Sequence, residues 1–153
     1  MELLNYILAI ELKSLEHYEF LRNHFDFPIE IDFEKFMKEE KNYVVSVRMN
    51  EPNNIHNPLM AVSIFKLHQD KININYVAVC KDFRKKGINR AINKFIEDIA
   101  RSNYIDFLTA NIREKNINSI NSFLGCGFLI NENRKFKYKN GDGKIHIYKK
   151  ITI

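Results

Sequence analysis

Around Ile72 to Arg90 the chain changes period once, abruptly, with a basic turn at the change. Ile72-Asn-Ile-Asn alternates apolar and polar residues as a half-buried strand does, and Tyr76-Val-Ala-Val79 closes the run. Lys81-Asp-Phe-Arg-Lys-Lys-Gly-Ile-Asn-Arg90 follows, and Ile88, Ala91, Ile92, Phe95, Ile96 and Ile99 then recur on one helical face. A strand delivered into a helix through so short a turn implies mixed layers of strands and helices. It also builds an anion site in principle. The first helical turn leaves amide N–H groups without intrahelical partners, and the positive dipole end attracts phosphate. Gly87 has no side chain to block a close approach, and Arg84, Lys85, Lys86 and Arg90 add attraction at longer range. Taken alone, a glycine in a basic turn is more often a solvated loop than a phosphate site.

The rest of the chain supplies context. Leu4, Ile7, Leu8, Leu12 and Leu15, extended by Tyr18 and Leu21, predict a helix from the N-terminus that Pro28 stops. Asp32 can cap a second helix over Phe33 to Glu40. Tyr43 to Arg48, Leu59 to Leu67 and Ile72 to Cys80 read as three neighbouring strands, linked by the loop Asn50 to Pro58 and the turn His68 to Lys71. Short links suggest an antiparallel meander. Phe107 to Ile112 predicts a further strand and Asn116 to Leu124 a short helix, stopped by Gly125 and Gly127. Phe128 to Ile130 starts a strand, and Lys135 to Ile153 reads as a hairpin around Asn140-Gly-Asp-Gly143. The expectation is an α/β (α+β) fold in one domain, 1–153, without repeats or linkers. A chain of this length buries roughly 70% of the surface its unfolded form exposes, enough for one core.

The formal net charge of +5 suits anionic partners such as phosphate-bearing cofactors, nucleic acid or acidic lipid, although a solvated Lys-rich surface accounts for most of it. The charge concentrates between Lys81 and Arg90. Cys80 and Cys126 show neither a pairing pattern nor metal-ligand spacing, and no metal is expected. The apolar run Met1 to Ile10 lacks a basic flank and a small-residue cleavage site, and no uncharged apolar stretch of about 20 residues occurs. These features predict a cytoplasmic protein with reduced thiols and no membrane partner.

Arg84-Lys-Lys-Gly87-Ile88-Asn89 resembles the pyrophosphate turn of the GNAT N-acetyltransferases, usually written R/Q-x-x-G-x-G/A, and stands between a V-A-V-like strand end and an amphipathic helix as in that family. Asn116-Ile-Asn-Ser119-Ile-Asn-Ser-Phe123-Leu-Gly-Cys-Gly127-Phe128 matches the spacing of the family's second pattern, N-x-x-A-x-x-x-Y-x-x-x-G-F. The resemblance covers Tyr43 to Phe128 and fades on either side. It implies a mainly antiparallel central sheet flanked by helices, with a splayed strand pair that admits the coenzyme arm. It implies acetyl-coenzyme A as acyl donor and an amine, on a small molecule or a protein, as acceptor. Backbone N–H groups of Lys85 to Arg90 would then hold the pyrophosphate. The edge at Val77 and Val79 would pair with the pantetheine arm, and Val79 N–H would face the thioester carbonyl. Asn116 would steady the arm or the two splayed strands, and Ser119 and Phe123 on the same helix would belong to the coenzyme site. Asn116 also reads as an N-cap.

Departures from the pattern bear on chemistry. Asn89 replaces Gly or Ala, Ser119 replaces Ala, and Phe123 replaces the Tyr that protonates the departing thiolate. Phe carries no proton to give, so Phe123 reads as core and the thiolate leaves as such or is protonated by water. Family members often carry Glu or His on the strand before the turn, where this chain has Asn73, Asn75 and Tyr76. Tyr76 and His68 are the remaining base candidates, each more simply a packing or turn residue. Cys80 is an acyl-carrier candidate that reads more simply as a small buried hydrophobe. The leading function is transfer of an acetyl or short acyl group from coenzyme A to a primary amine. The alternatives are a coenzyme-binding module without turnover, and acetylation of a ribosomal protein or aminoacyl-tRNA. No aromatic-basic stripe speaks for nucleic acid, and a monomer or homodimer is expected. Glu30, Asp32, Glu34, Glu39 and Glu40 could greet a cationic acceptor or form a solvated helix face.

Overall fold

The structure, a computed structural model, describes residues 5–29, 31–51, 57–137 and 141–151. Leu4 of the expected first helix, Glu30 of the acidic group, residues 52–56 of the expected loop, Asn140 of the expected turn and the end of the expected hairpin at 152–153 lie outside them. The strands are β1 (Tyr6–Glu11), β2 (Asn42–Met49), β3 (Leu59–Leu67), β4 (Lys71–Val79), β5 (Phe107–Arg113), β6 (Leu129–Lys137) and β7 (Gly143–Lys150). The helices are α1 (Leu15–His24), α2 (Phe33–Lys38), α3 (Ile88–Ser102) and α4 (Ile117–Gly125). The strands hydrogen-bond in the order β1-β2-β3-β4-β5-β7-β6, a mixed, mainly antiparallel sheet with β4 and β5 parallel. The expected fold class is the one observed. Contacts divide the chain into two compact units, Met1–Phe65 with Tyr76–Ile88, and Lys66–Asn75 with Asn89–Ile153.

In the first unit the expected N-terminal helix is instead a strand followed by a shorter helix. Leu4, Ile7 and Leu8 fit a helical stripe, but nearly every residue from Tyr6 to Ile10 is apolar, so periodicity alone does not separate helix from strand. Tertiary pairing decides. β1 runs antiparallel to β2, from Tyr6 opposite Met49 to Glu11 opposite Val44. The helix begins only after Ser14 and buries His17, Tyr18, Phe20 and Leu21. Tyr18, Phe20 and Leu21 pack with Phe36 of α2 and with Val44, Val62, Ile64 and Ala78 of the strands. Asp32 caps α2 as expected, its carboxylate accepting from Lys35 N–H at 2.8 Å. The helix ends at Lys38 rather than Glu40. Lys13 Nζ donates to the carbonyls of Phe36 (2.9 Å) and Glu39, satisfying orphan acceptors at that end.

The corner between β1, α1 and β2 is polar and closed. Arg48 grips Glu11 with Nε and Nη2, both at 2.8 Å, and reaches Glu16 at 2.6 Å. The buried His17 links Glu11 (3.0 Å) and Ser46 (3.0 Å) through Nε2 and Ser14 (3.0 Å) through Nδ1. The Arg48 hydrogen bond is the main reason that the Glu11 carboxyl is pulled down from 4.5 to about 2.

In the second unit β4 pairs with β5 from Lys71 opposite Phe107 to Ile74 opposite Ala110. Parallel neighbours need a crossover, and α3 supplies it. β7 runs antiparallel to β5 over its whole length. β6 pairs with β7 with an irregularity between Ile130 and Lys135, so the expected short start at Phe128 is one long strand. Ile92, Ile96, Ala100, Leu108 and Ile147 are fully buried. Among the described residues no helix is long and apolar enough to cross a membrane.

The Glu11 carboxyl titrates lower in the folded chain than in the unfolded one. Its bridge therefore contributes fully above about pH 4.5, and the contribution fades as pH falls towards 2. With the side chain 26% exposed, screening leaves about 1–2 kcal/mol. Urea unfolding of Glu11→Gln is expected to show that loss at pH 7 and almost none near pH 2.

Candidate functional site

Residues along β4 alternate between two faces. Tyr76 and Ala78 belong to the apolar face of the first unit, where Tyr76 meets Phe25 edge-on (centroids 5.3 Å apart, 83°). Cys80 N–H donates to Met60 O on β3 at 2.9 Å. Successive N–H groups of a strand point to opposite edges, so Val79 and Val77 direct theirs away from β3. β4 runs on to Val79, and β5 to Arg113, beyond the last pair of their ladder at Ile74 and Ala110.

After Val79 a 3₁₀ turn over Lys81–Phe83 redirects the chain. Arg84 is committed inside the protein. Its Nε donates to Val79 O (3.0 Å) and its Nη2 to His24 O (3.0 Å), and it pairs with Asp26 at 3.1 Å. Lys85 and Gly87 then take left-handed backbone angles, φ 61° and 83°. Such kinks are the kind of backbone that can turn successive N–H groups into a concavity, and here they stand just before α3. A Cβ built on Gly87 would meet nothing within 4 Å, so that face of the turn is open. Lys85, Lys86 and Arg90 are exposed, while Ile88 is buried and anchors the helix.

Asn89, which departs from the pattern, is half-buried, and its Oδ1 is buried with no hydrogen-bond partner among the described residues. Asn93, one turn on, donates from Nδ2 to Asn89 O (3.0 Å) and Cys126 Sγ (3.5 Å).

Asn116 caps α4, its Oδ1 accepting from Ser119 N–H at 3.2 Å. The far end of α4 forms a complete Schellman closure. Phe128 N–H reaches Phe123 O (3.2 Å) and Gly127 N–H, at φ 92°, reaches Leu124 O (3.0 Å). The rings of Phe123 and Phe128 meet edge-on at 5.0 Å, the hydrophobic contact that accompanies this motif. Phe123 is 5% exposed. Its ring is a structural part of the helix end.

The strand positions where a base was sought hold a chain of neutral groups. Thr109 Oγ1 donates to Asn73 Oδ1 (2.8 Å), and Asn73 Nδ2 donates to Asn75 Oδ1 (2.5 Å). None of the three titrates near neutral pH. His68 sits in the turn that opens β4, whereas Val79 closes that strand. Cys80 and Cys126 are both free and half-buried.

A residue that the sequence did not single out is tied to the end of β4. His24, the last residue of α1, stacks on Phe20 at 4.3 Å, and its carbonyl is bound by the same Arg84 that binds Val79. Burial first, then the charges of Arg84 and Lys81, pushes its pKa below the ordinary histidine value. Nothing local marks it, because Arg84 lies 60 residues away along the chain.

Residues 10–128 match the family model described as the acetyltransferase (GNAT) family. No curated protein matches the chain in sequence. Among solved structures, the ribosomal-protein-S18-alanine N-acetyltransferase of Escherichia coli is similar, with TM-score 0.70 and 17% identity, covering 96% of each chain. Ard1 of Thermoplasma volcanium is similar with TM-score 0.73 and 13% identity, over 95% of this chain and 99% of that one. A GNAT family acetyltransferase of Elizabethkingia anophelis, solved with acetyl-CoA bound, has TM-score 0.68 and 12% identity, over 94% and 97% of the two chains. Identities this low speak for the fold alone.

The packing role of Phe123 has a measurable consequence. Removing the ring from its buried contact with Phe128 leaves a cavity at the helix end, and Phe123→Ala is expected to lower stability by about 3–5 kcal/mol in urea unfolding.

Proposed function

The chain belongs to the GNAT acetyltransferase family, and from that footing we propose that it transfers an acetyl, or other short acyl, group from coenzyme A to a primary amine. Transfer is by direct attack in a ternary complex. The observation that carries this reading is the open, left-handed turn at Gly87, set at the head of α3 and flanked by exposed cations. N–H groups of Lys85 to Arg90 would receive the pyrophosphate, with Lys85 and Lys86 lending charge. Val77 and Val79 direct N–H groups away from β3. There they could pair with the amide-bearing pantetheine arm, and Val79 could donate to the tetrahedral oxyanion. Such a donor is typically worth about 3 kcal/mol of barrier. Asn116 and Ser119 begin α4 and would steady the arm. The reading takes 1–153 as one acyltransferase domain and, with both thiols free, a cytoplasmic one.

A second reading, a coenzyme-binding module without turnover, draws on Phe123 being closed into the end of α4 and on the neutral Asn73 and Asn75. Amine-dependent release of coenzyme A separates the two. Acetylation of a ribosomal protein or aminoacyl-tRNA stays the third reading, with likeness of fold as its support.

Thermal melting tests coenzyme binding directly. Acetyl-coenzyme A at 100 times its dissociation constant stabilises by about 2.7 kcal/mol, a few degrees for a domain of this size. Gly87→Glu, which puts a carboxylate and a strained left-handed backbone into the turn, is expected to melt lower and to lose that shift. A wild type unmoved by acetyl-coenzyme A, other acyl-coenzyme As and free coenzyme A would end the transferase reading.

A further inference from the structure

An acceptor amine reaches the enzyme mostly as an ammonium, because free alkylamines titrate around pH 10. Attack on a thioester needs the neutral amine, so a proton must go somewhere. Asn73, Asn75 and Thr109 are non-titrating and bonded to one another. Tyr76 is packed against Phe25.

The segment His24 to Asp26 brings the alternative. Each of its three residues is tied to β4 or to the turn after it. His24 O accepts from Arg84, Phe25 lies edge-on to Tyr76, and Asp26 pairs with Arg84. The same guanidinium binds Val79 O. The end of α1 is thereby tied to Val79, the residue whose own N–H would face the thioester. The imidazole rests on Phe20, and among the described residues no hydrogen bond holds either of its ring nitrogens. Its charged neighbours are Arg84, whose charge Asp26 partly offsets, and Lys81; Arg22 of the same helical turn lies instead over Tyr18.

We infer that His24 is the base that takes the proton from the acceptor ammonium, an inference that rests on the transferase reading above. The imidazole accepts one N–H proton and leaves a lone pair on nitrogen. That pair attacks the thioester carbonyl carbon, and the carbonyl electrons move onto oxygen. Collapse breaks the C–S bond, the nitrogen releases its second proton, and the sulfur departs as thiolate and takes up one proton through water. His24 returns its proton to solvent, so each turnover releases one proton. Burial and the two cations keep the imidazole neutral near pH 7, the form that this step requires.

The test compares wild type with His24→Asn and His24→Gln. Acetyl-coenzyme A is the donor, and the acceptors are spermidine, glucosamine, alanine amide and a short alanine-initiated peptide. In wild type, kcat/KM should fall on the acid side with an apparent pKa below 6.5. Both variants should keep the melting shift with acetyl-coenzyme A yet lose that limb. They should turn over about 100-fold or more slowly at pH 7 and recover as pH nears the amine's own pKa. Variants that retain the wild-type profile, or that lose the melting shift together with activity, would overturn the assignment. A wild type that binds acetyl-coenzyme A but releases no coenzyme A with any of these amines would instead sink the transferase reading, and the base with it.

Discussion

The guanidinium of Arg84 holds the parts of the chain on which the rest depends. A strand that ends and a helix that ends each leave a carbonyl without a partner, and such groups are costly unless satisfied. Val79 closes β4 and His24 closes α1, and one planar fork serves both carbonyls while Asp26 balances its charge. A lysine could not copy this, since its point charge lacks the rigid spread of donors. The leading residue of the turn motif is therefore spent on architecture. The cations left exposed on the turn are Lys85, Lys86 and, in the first turn of the helix, Arg90.

What could be read from the sequence followed from how local its cause is. The strand, the turn and α3 lie in one continuous stretch, and their residues announce them by period, charge and one glycine. The cap at Asp32 and the stop at Gly127 were legible for the same reason, each acting within a few residues. The N-terminal strand was not. Tyr6 to Ile10 is apolar at almost every position, and what makes it a strand is β2, more than thirty residues on. His24 was hidden in the same way. An imidazole at the end of an amphipathic stripe looks inert until Arg84 and Lys81 are seen beside it.

The second motif was legible in spacing but divided in meaning. Asn116 is visibly the cap of α4, and that alone accounts for an asparagine there. Phe123 has no hydroxyl, yet its ring closes the helix end against Phe128. Both positions keep the shape of the motif through packing that makes no use of a ligand. Asn89 and Asn93 are harder to account for: each keeps a buried carbonyl oxygen with no hydrogen-bond partner among the described residues, on the first turns of α3. An acceptor left so costs about 1–3 kcal/mol.

Lys85 stands at φ 61°, a backbone that glycine adopts freely and lysine only at a cost of about 1–2 kcal/mol. With glycine there the turn could flex between left- and right-handed forms, and each docking event would have to choose one. A side chain narrows those choices but disfavours this one, so the left-handed form at Lys85 is held by the fold around it and not by the residue's own preference.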